Sequence, residues 1–238
     1  MRNTLTIATK ELTAYFTTPM AYIVTAVFLA MSGFFFAQDL TTFQLARLHG
    51  FFGSASFLLL LIAPILTMRL LAEEQKLGTL ELLLTAPVRD QEVVIGKFLA
   101  VAGILFMMLF ITLYYPILLI KFSEPDLGPM LSGYLGLFLL GACFLSLGIF
   151  ASSLTSSQIV AAVVGIGLSL LFWLLDSAGN LAQNVPLIRD VLIYLSLSAN
   201  YSDFVRGVID TKALVYYISF IVVVIFFAIR SLETRRWR

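Results

Sequence analysis

The chain has 238 residues, of which 60% are hydrophobic and 12% charged, with a mean hydropathy of +0.99. Soluble domains are about half apolar and about a quarter charged, so much of this surface must face lipid rather than water. A formal net charge of +1 leaves no footprint for nucleic acid, the single cysteine (Cys143) excludes an intramolecular disulfide framework, and one histidine (His49) offers no multi-histidine metal site.

Before the first long apolar stretch, Leu5, Ala8, Leu12, Tyr15 and Phe16 recur at helical spacing, Asn3, Thr6, Lys10 and Thr17 occupy other faces, and Pro19 ends the segment. This pattern predicts an interfacial helix over residues 1–19, with a solvated, frayed terminus as the alternative.

A helix needs about twenty predominantly apolar residues to cross the hydrocarbon core. Six stretches meet that requirement: Met20 to Ala37, Phe51 to Met68, Phe98 to Ile120, Met130 to Ala151, Ile159 to Leu175 and Ala213 to Ile229. The fourth and fifth come from one uncharged run, Leu127 to Leu175, which the polar segment Ser152 to Gln158 divides into a hairpin. The first is too long for a secretory signal and has no clear small-residue cleavage site, so it is read as a retained span.

The loops set the orientation. With both termini in the cytoplasm, ten Lys and Arg residues lie on that side and five on the other, as the positive-inside rule favours.

The segment Glu73 to Lys97, EEQKLGTLELLLTAPVRDQEVVIGK, falls on the same side. Leu77, Leu80 and Leu84 form one stripe and Glu74, Gly78, Glu81 and Thr85 another, each advancing by three or four residues, until Pro87 stops the helix. Such a helix suits docking into a partner's groove, or equally covering the ends of its own bundle. Residues 176–212 form the longest connection on the outer side. Its short apolar piece Val191 to Leu197 and Pro186 suit either re-entry into the bundle or a surface loop.

None of the six apolar stretches contains Asp, Glu, Lys, Arg or His, which argues against proton-coupled carriers and voltage sensors. No nucleotide-binding loop is present: Phe98 follows Gly96 and Lys97 where Ser or Thr is needed, and Gln91 occupies the upstream glycine position. A membrane protease is poorly supported, because Ser54 and Ser56 have only His49, in a short outer loop, as a candidate base. Gly133, Gly136, Gly141 and Gly148, with Ser146, read as sites of close helix packing.

Together, KELTAYFTTPMAYI (Lys10 to Ile23), EEQKLGTLELLLTAPV with the following IGK, the distal YSDFVRGVIDTKALVYY and the basic LETRRWR resemble permease subunits of type-2 ATP-binding-cassette exporters. The likeness is nearest to permeases associated with gliding motility and with maturation of copper enzymes, and it spans the whole chain.

The resemblance implies a single all-α integral membrane domain, 1–238, with six transmembrane helices, an N-terminal elbow helix (1–19), a cytoplasmic coupling helix (73–87) and a re-entrant outer gate within 176–212. It assigns ATPase coupling to Glu73, Glu74, Gly78, Thr79, Glu81, Leu82, Leu83 and Pro87. It implies no catalytic, metal or cofactor residue on this chain, with ATP and magnesium held by a cytosolic ATPase partner. Further implied partners are a second permease chain, a homodimer mate or a related permease, and a membrane-anchored auxiliary subunit, in a bacterial plasma membrane with both termini cytoplasmic. The rival readings are a substrate-binding membrane subunit or ion-coupled carrier, and a membrane-embedded enzyme.

Overall fold

The computed structural model describes residues 2–42, 48–79, 89–122, 126–181 and 185–235. Within them lie ten helices and no strand: α1 (Arg2–Thr17), α2 (Pro19–Thr42), α3 (His49–Leu77), α4 (Asp90–Thr112), α5 (Tyr114–Phe122), α6 (Leu127–Leu154), α7 (Gln158–Leu181), α8 (Pro186–Leu195), α9 (Leu197–Val205) and α10 (Thr211–Arg235). Six units are long and apolar enough to cross a membrane: α2, α3, α4 with α5, α6, α7 and α10. Each contains one of the six stretches expected from the sequence.

The helices run past those stretches. At about 1.5 Å per residue, α3 is about 43 Å long, against about 30 Å of hydrocarbon, so its charged end from Arg69 to Lys76 extends well beyond the apolar stretch. We call the end of the bundle that carries both described termini proximal and the other distal.

The centre of the bundle is the pair α3 and α6, whose most apolar windows are 72% and 78% buried, against 22% for α2 and 17% for α7. Glycines bring the helices close. A Cβ on Gly148 would collide with Thr67 and Pro64 of α3, and one on Gly133 with the ring of Phe52. On Gly136 it would lie 2.6 Å from Phe204, and on Gly141 2.8 Å from Leu105. All four glycines read as packing sites from the sequence sit where a neighbouring helix needs the space.

Two prolines and one serine shape the spans. Pro116 has no N–H to offer the carbonyl of Thr112, and the third span breaks there at Leu113; the Tyr134 hydroxyl donates to that carbonyl at 2.8 Å instead. Pro19 stands at the first position of α2, where its fixed φ suits a helix start, so α1 and α2 are separated by Thr18 alone. Ser152 of α6 reaches into the backbone of α3: its hydroxyl donates to Met68 O at 3.0 Å and accepts from Leu71 N at 3.1 Å and Ala72 N at 3.0 Å. A hydroxyl inserted into the backbone of a neighbouring helix in this way ties the two helices together at one height.

At the distal end, α8 and α9 fold back into the bundle. The chain passes Gly179 with Arg189 to Ile193, and at the turn between α8 and α9 Ser198 donates to Trp173 O at 2.9 Å. The turn is also held by Tyr216, which donates to Leu195 O at 2.6 Å, and Tyr217, which donates to Leu197 O at 2.8 Å. From there α9 climbs outward again along α6, where Ser132 donates to Phe204 O at 2.7 Å and Gly207 meets Pro129.

Replacing Gly148 with valine should destabilise the fold by about 1–3 kcal/mol, the usual range for overpacking. Gly167→Ala, where an added Cβ meets nothing within 4 Å, should cost no stability and gain up to about 1 kcal/mol of helix propensity. Denaturant titration in mixed micelles measures both.

Candidate functional site

Lys97 carries the most demanding side chain at the proximal end. It lies on the face of α4 formed by Val93, Val94, Ala100, Val101 and Ile104, all buried, and is itself only 1% exposed. A helix in this packing must present residue 97 to its neighbours, because positions three and four apart share a face. An ammonium there loses its water and must be paired. Its Nζ donates to Glu11 of α1 at 2.9 Å and to Glu74 of α3 at 2.8 Å, the two carboxylates being 15% and 19% exposed. One cation thus joins three helices.

The joint has supporting contacts. Along α1 and α4 the contacts advance together: Asn3 donates to Glu92 at 3.2 Å, Thr4 and Ile7 close over Gly96, and Leu12 lies against Gly103. The face of α1 that docks is therefore Ile7, Ala8, Glu11, Leu12 and Tyr15, while Leu5 and Phe16 of the expected stripe are exposed. Tyr15 is buried, donates to Leu66 O at 2.5 Å, and has the Arg69 guanidinium 3.9 Å above its ring centroid. Burial pushes its phenol up to about 12, outweighing the lowering pull of Arg69, so the hydroxyl stays a donor throughout the physiological range. On the other side of α3, Gln75 donates to Ser153 O at 3.1 Å, and Ser231 of α10 reaches the same carbonyl at 3.4 Å.

Of the residues to which the resemblance gives ATPase coupling, Glu73 and Glu74 form part of the last turns of α3, and Gly78 and Thr79 follow it. Glu81, Leu82, Leu83 and Pro87 lie outside the described residues. The expected helix over 73–87 begins differently from the sequence reading: α3 carries on to Leu77, and Gly78 closes it with φ +71. A left-handed glycine just past the helix end turns the chain, so the helix that carries Glu74 does not run on through Gly78. Gly78 N donates to Gln75 O and the Thr79 hydroxyl to Glu74 O, each at 3.4 Å, which occupies carbonyls the helix end leaves open. Residues 73–79 are therefore continuous, through α3, with the centre of the bundle.

Sequence reasoning passed over Glu11 and Lys97 as site residues. Their signal was nonetheless there: each is a charged residue at a position its helix's apolar period assigns to the core. At the distal end, α8 and α9 enclose an open cleft of about 340 Å³ lined by Asp190, Ile193, Tyr194, Ala199, Asn200 and Asp203.

Lys97→Met leaves two carboxylates facing each other without their cation and should cost about 3–5 kcal/mol, whereas Lys97→Arg should retain most of the stability. Gly78→Ala places a Cβ in the left-handed region and should cost about 1–2 kcal/mol, with Gly78→Asn costing less. Denaturant titration in micelles reads each value; Lys97→Met as stable as the parent would contradict the assignment of Lys97 as the joint.

The sequence from residue 7 to residue 235 matches the family described as ABC-2 family transporter protein. No curated protein matches the chain. The match is to the family as a whole and does not single out the gliding-motility or copper-enzyme subgroup. The six apolar helices agree with a multi-pass membrane protein, and a match across nearly the whole chain makes it a member of the ABC-2 transporter family.

Proposed function

We propose that the chain is the permease subunit of an ATP-driven exporter, that a separate cytosolic ATPase supplies the energy, and that the proximal end is the face on which this ATPase docks. The family match over residues 7–235 carries this reading, since a permease of this family works with an ATPase subunit. The geometry supports the place: α3 reaches without interruption from the distal end to Leu77, so a push on the chain at Gly78 and Thr79 acts on one of the two most deeply packed helices. ATP and magnesium belong to the partner, as the sequence has no phosphate-binding loop.

On this reading the proximal end faces the cytoplasm of a bacterial cell, α1 is the elbow at the membrane surface, and the α8 and α9 hairpin is the re-entrant outer gate. The turn at Ser196 lies beside Trp173 and Tyr217, well inside the ends of α7 and α10, as a re-entrant segment requires. Two copies of the chain, or this chain and a related permease, line the path. Alternating access then follows from closure of the ATPases on nucleotide. The gliding-motility or copper-enzyme subgroup, with its membrane-anchored auxiliary subunit, rests on the sequence segments alone.

Single cysteines at Thr79 and Lys212, in a Cys143→Ser background, test the orientation: an impermeant thiol reagent on sealed cells should label only position 212. Glu73→Lys, Thr79→Trp and Glu81→Lys should each insert normally but lose co-purification with the ATPase encoded by the host. Gly78→Trp is less informative, because φ +71 strains any bulky residue there whatever docks. Unchanged co-purification by all three variants would show that the ATPase docks elsewhere.

A further inference from the structure

We infer that Glu11 and Lys97 are positioning residues for transport, through which the ATPase-facing end of α3 carries α1, and with it α2, as one mechanical unit. This rests on the exporter reading above and adds an output to it.

Apolar side chains can slide past one another with little change in buried area, so packing alone lets one helix slip along another. A buried ion pair cannot slip. Lys97 is 1% exposed, which keeps bulk solvent from replacing Glu11 or Glu74, so either carboxylate could leave only at the cost of an underpaired buried cation. The end of α3 is thereby tied to α1 through one atom of α4, and Tyr15, bonded to Leu66 O beneath the Arg69 guanidinium, ties α1 to α3 again one turn further along.

The link from α1 to α2 is short and stiff. Only Thr18 separates the two helices, its N–H donates to Tyr15 O at 3.2 Å and its hydroxyl donates to Ala14 O at 2.6 Å. At the other end of this linkage, α2 is one of the least enclosed spans, with 22% of its apolar window buried, and it packs mainly along α3. A movement imposed at Leu77 and Gly78 therefore has a route to α2 by way of Glu74, Lys97, Glu11 and the α1 to α2 joint, added to the direct packing of α2 on α3.

The test uses the whole complex of this chain with its ATPase in lipid nanodiscs, with Cys143 replaced by serine. Spin labels at Met31 of α2 and Leu131 of α6, both exposed, report the position of α2 by pulsed dipolar spectroscopy. Distances are read without nucleotide and with magnesium ATP trapped by vanadate. Glu11→Met with Tyr15→Phe removes both side-chain ties from α1 to α3 while leaving Lys97 and Glu74 as a neutral pair; Lys97→Arg is the conservative variant.

The parent should show a nucleotide-dependent change in the Met31 to Leu131 distance, and Lys97→Arg should keep it. Glu11→Met with Tyr15→Phe should diminish that change while the complex still forms and hydrolyses ATP. An unchanged response in that double variant, or no response of α2 in a parent complex that binds and hydrolyses ATP, overturns the linkage and leaves the exporter reading standing. A chain that recruits no ATPase at all removes the exporter reading and the linkage with it.

Discussion

A lysine that cannot reach water governs the proximal half of this molecule. Once Lys97 falls on the packed face of α4, its charge requires carboxylates from neighbouring helices, and the fold supplies them by bringing α1 across α4 and stretching α3 past the apolar stretch as far as Glu74. The pairing also accounts for Gly96, because α1 can approach closely enough for Glu11 to reach Lys97 only where α4 has no side chain beside Thr4 and Ile7.

The same logic of backbone approach and polar insertion holds α3 in the centre. Pro64, Thr67 and the Met68 to Ala72 step of α3 meet Gly148, Gly165 and Ser152 of the neighbouring helices, so α3 is fixed in rotation and in height. In lipid, where helix association gains little from the hydrophobic effect, such close approach and interhelical hydrogen bonding are the main sources of specificity. A central helix fixed in this way, and ending in an exposed left-handed turn at Gly78, is suited to receive a force at one end and pass it to every helix it touches.

The spans, the division at Ser152 to Gln158 and the packing glycines were legible in the sequence, because each is a property of a local window: hydropathy, a polar interruption, or a small residue in an apolar run. The joint was not. Lys97 pairs with residues 86 and 23 positions away, and helical periodicity speaks for one helix at a time, so it marks Glu11 and Lys97 as core positions without saying that they meet. Gly78 was misplaced for a related reason. Its spacing from Glu74 and Glu81 fits a helical stripe, and spacing carries no sign of φ; the better cue was a glycine just after Lys76 and Leu77, where a helix end prefers a basic last turn followed by glycine. The break at Leu113 was foreshadowed by Pro116, which hydropathy counts as just one more residue of a long span.

The central claim is that the turn after α3 is the point of contact with an ATPase. A photo-crosslinking amino acid at Thr79, exposed and directly beyond Gly78, tests it in intact cells of the native host, with the crosslinked product identified by mass spectrometry. The account predicts a covalent product with a cytosolic protein that carries a nucleotide-binding loop. Crosslinks confined to lipid or to the chain's own helices would contradict it.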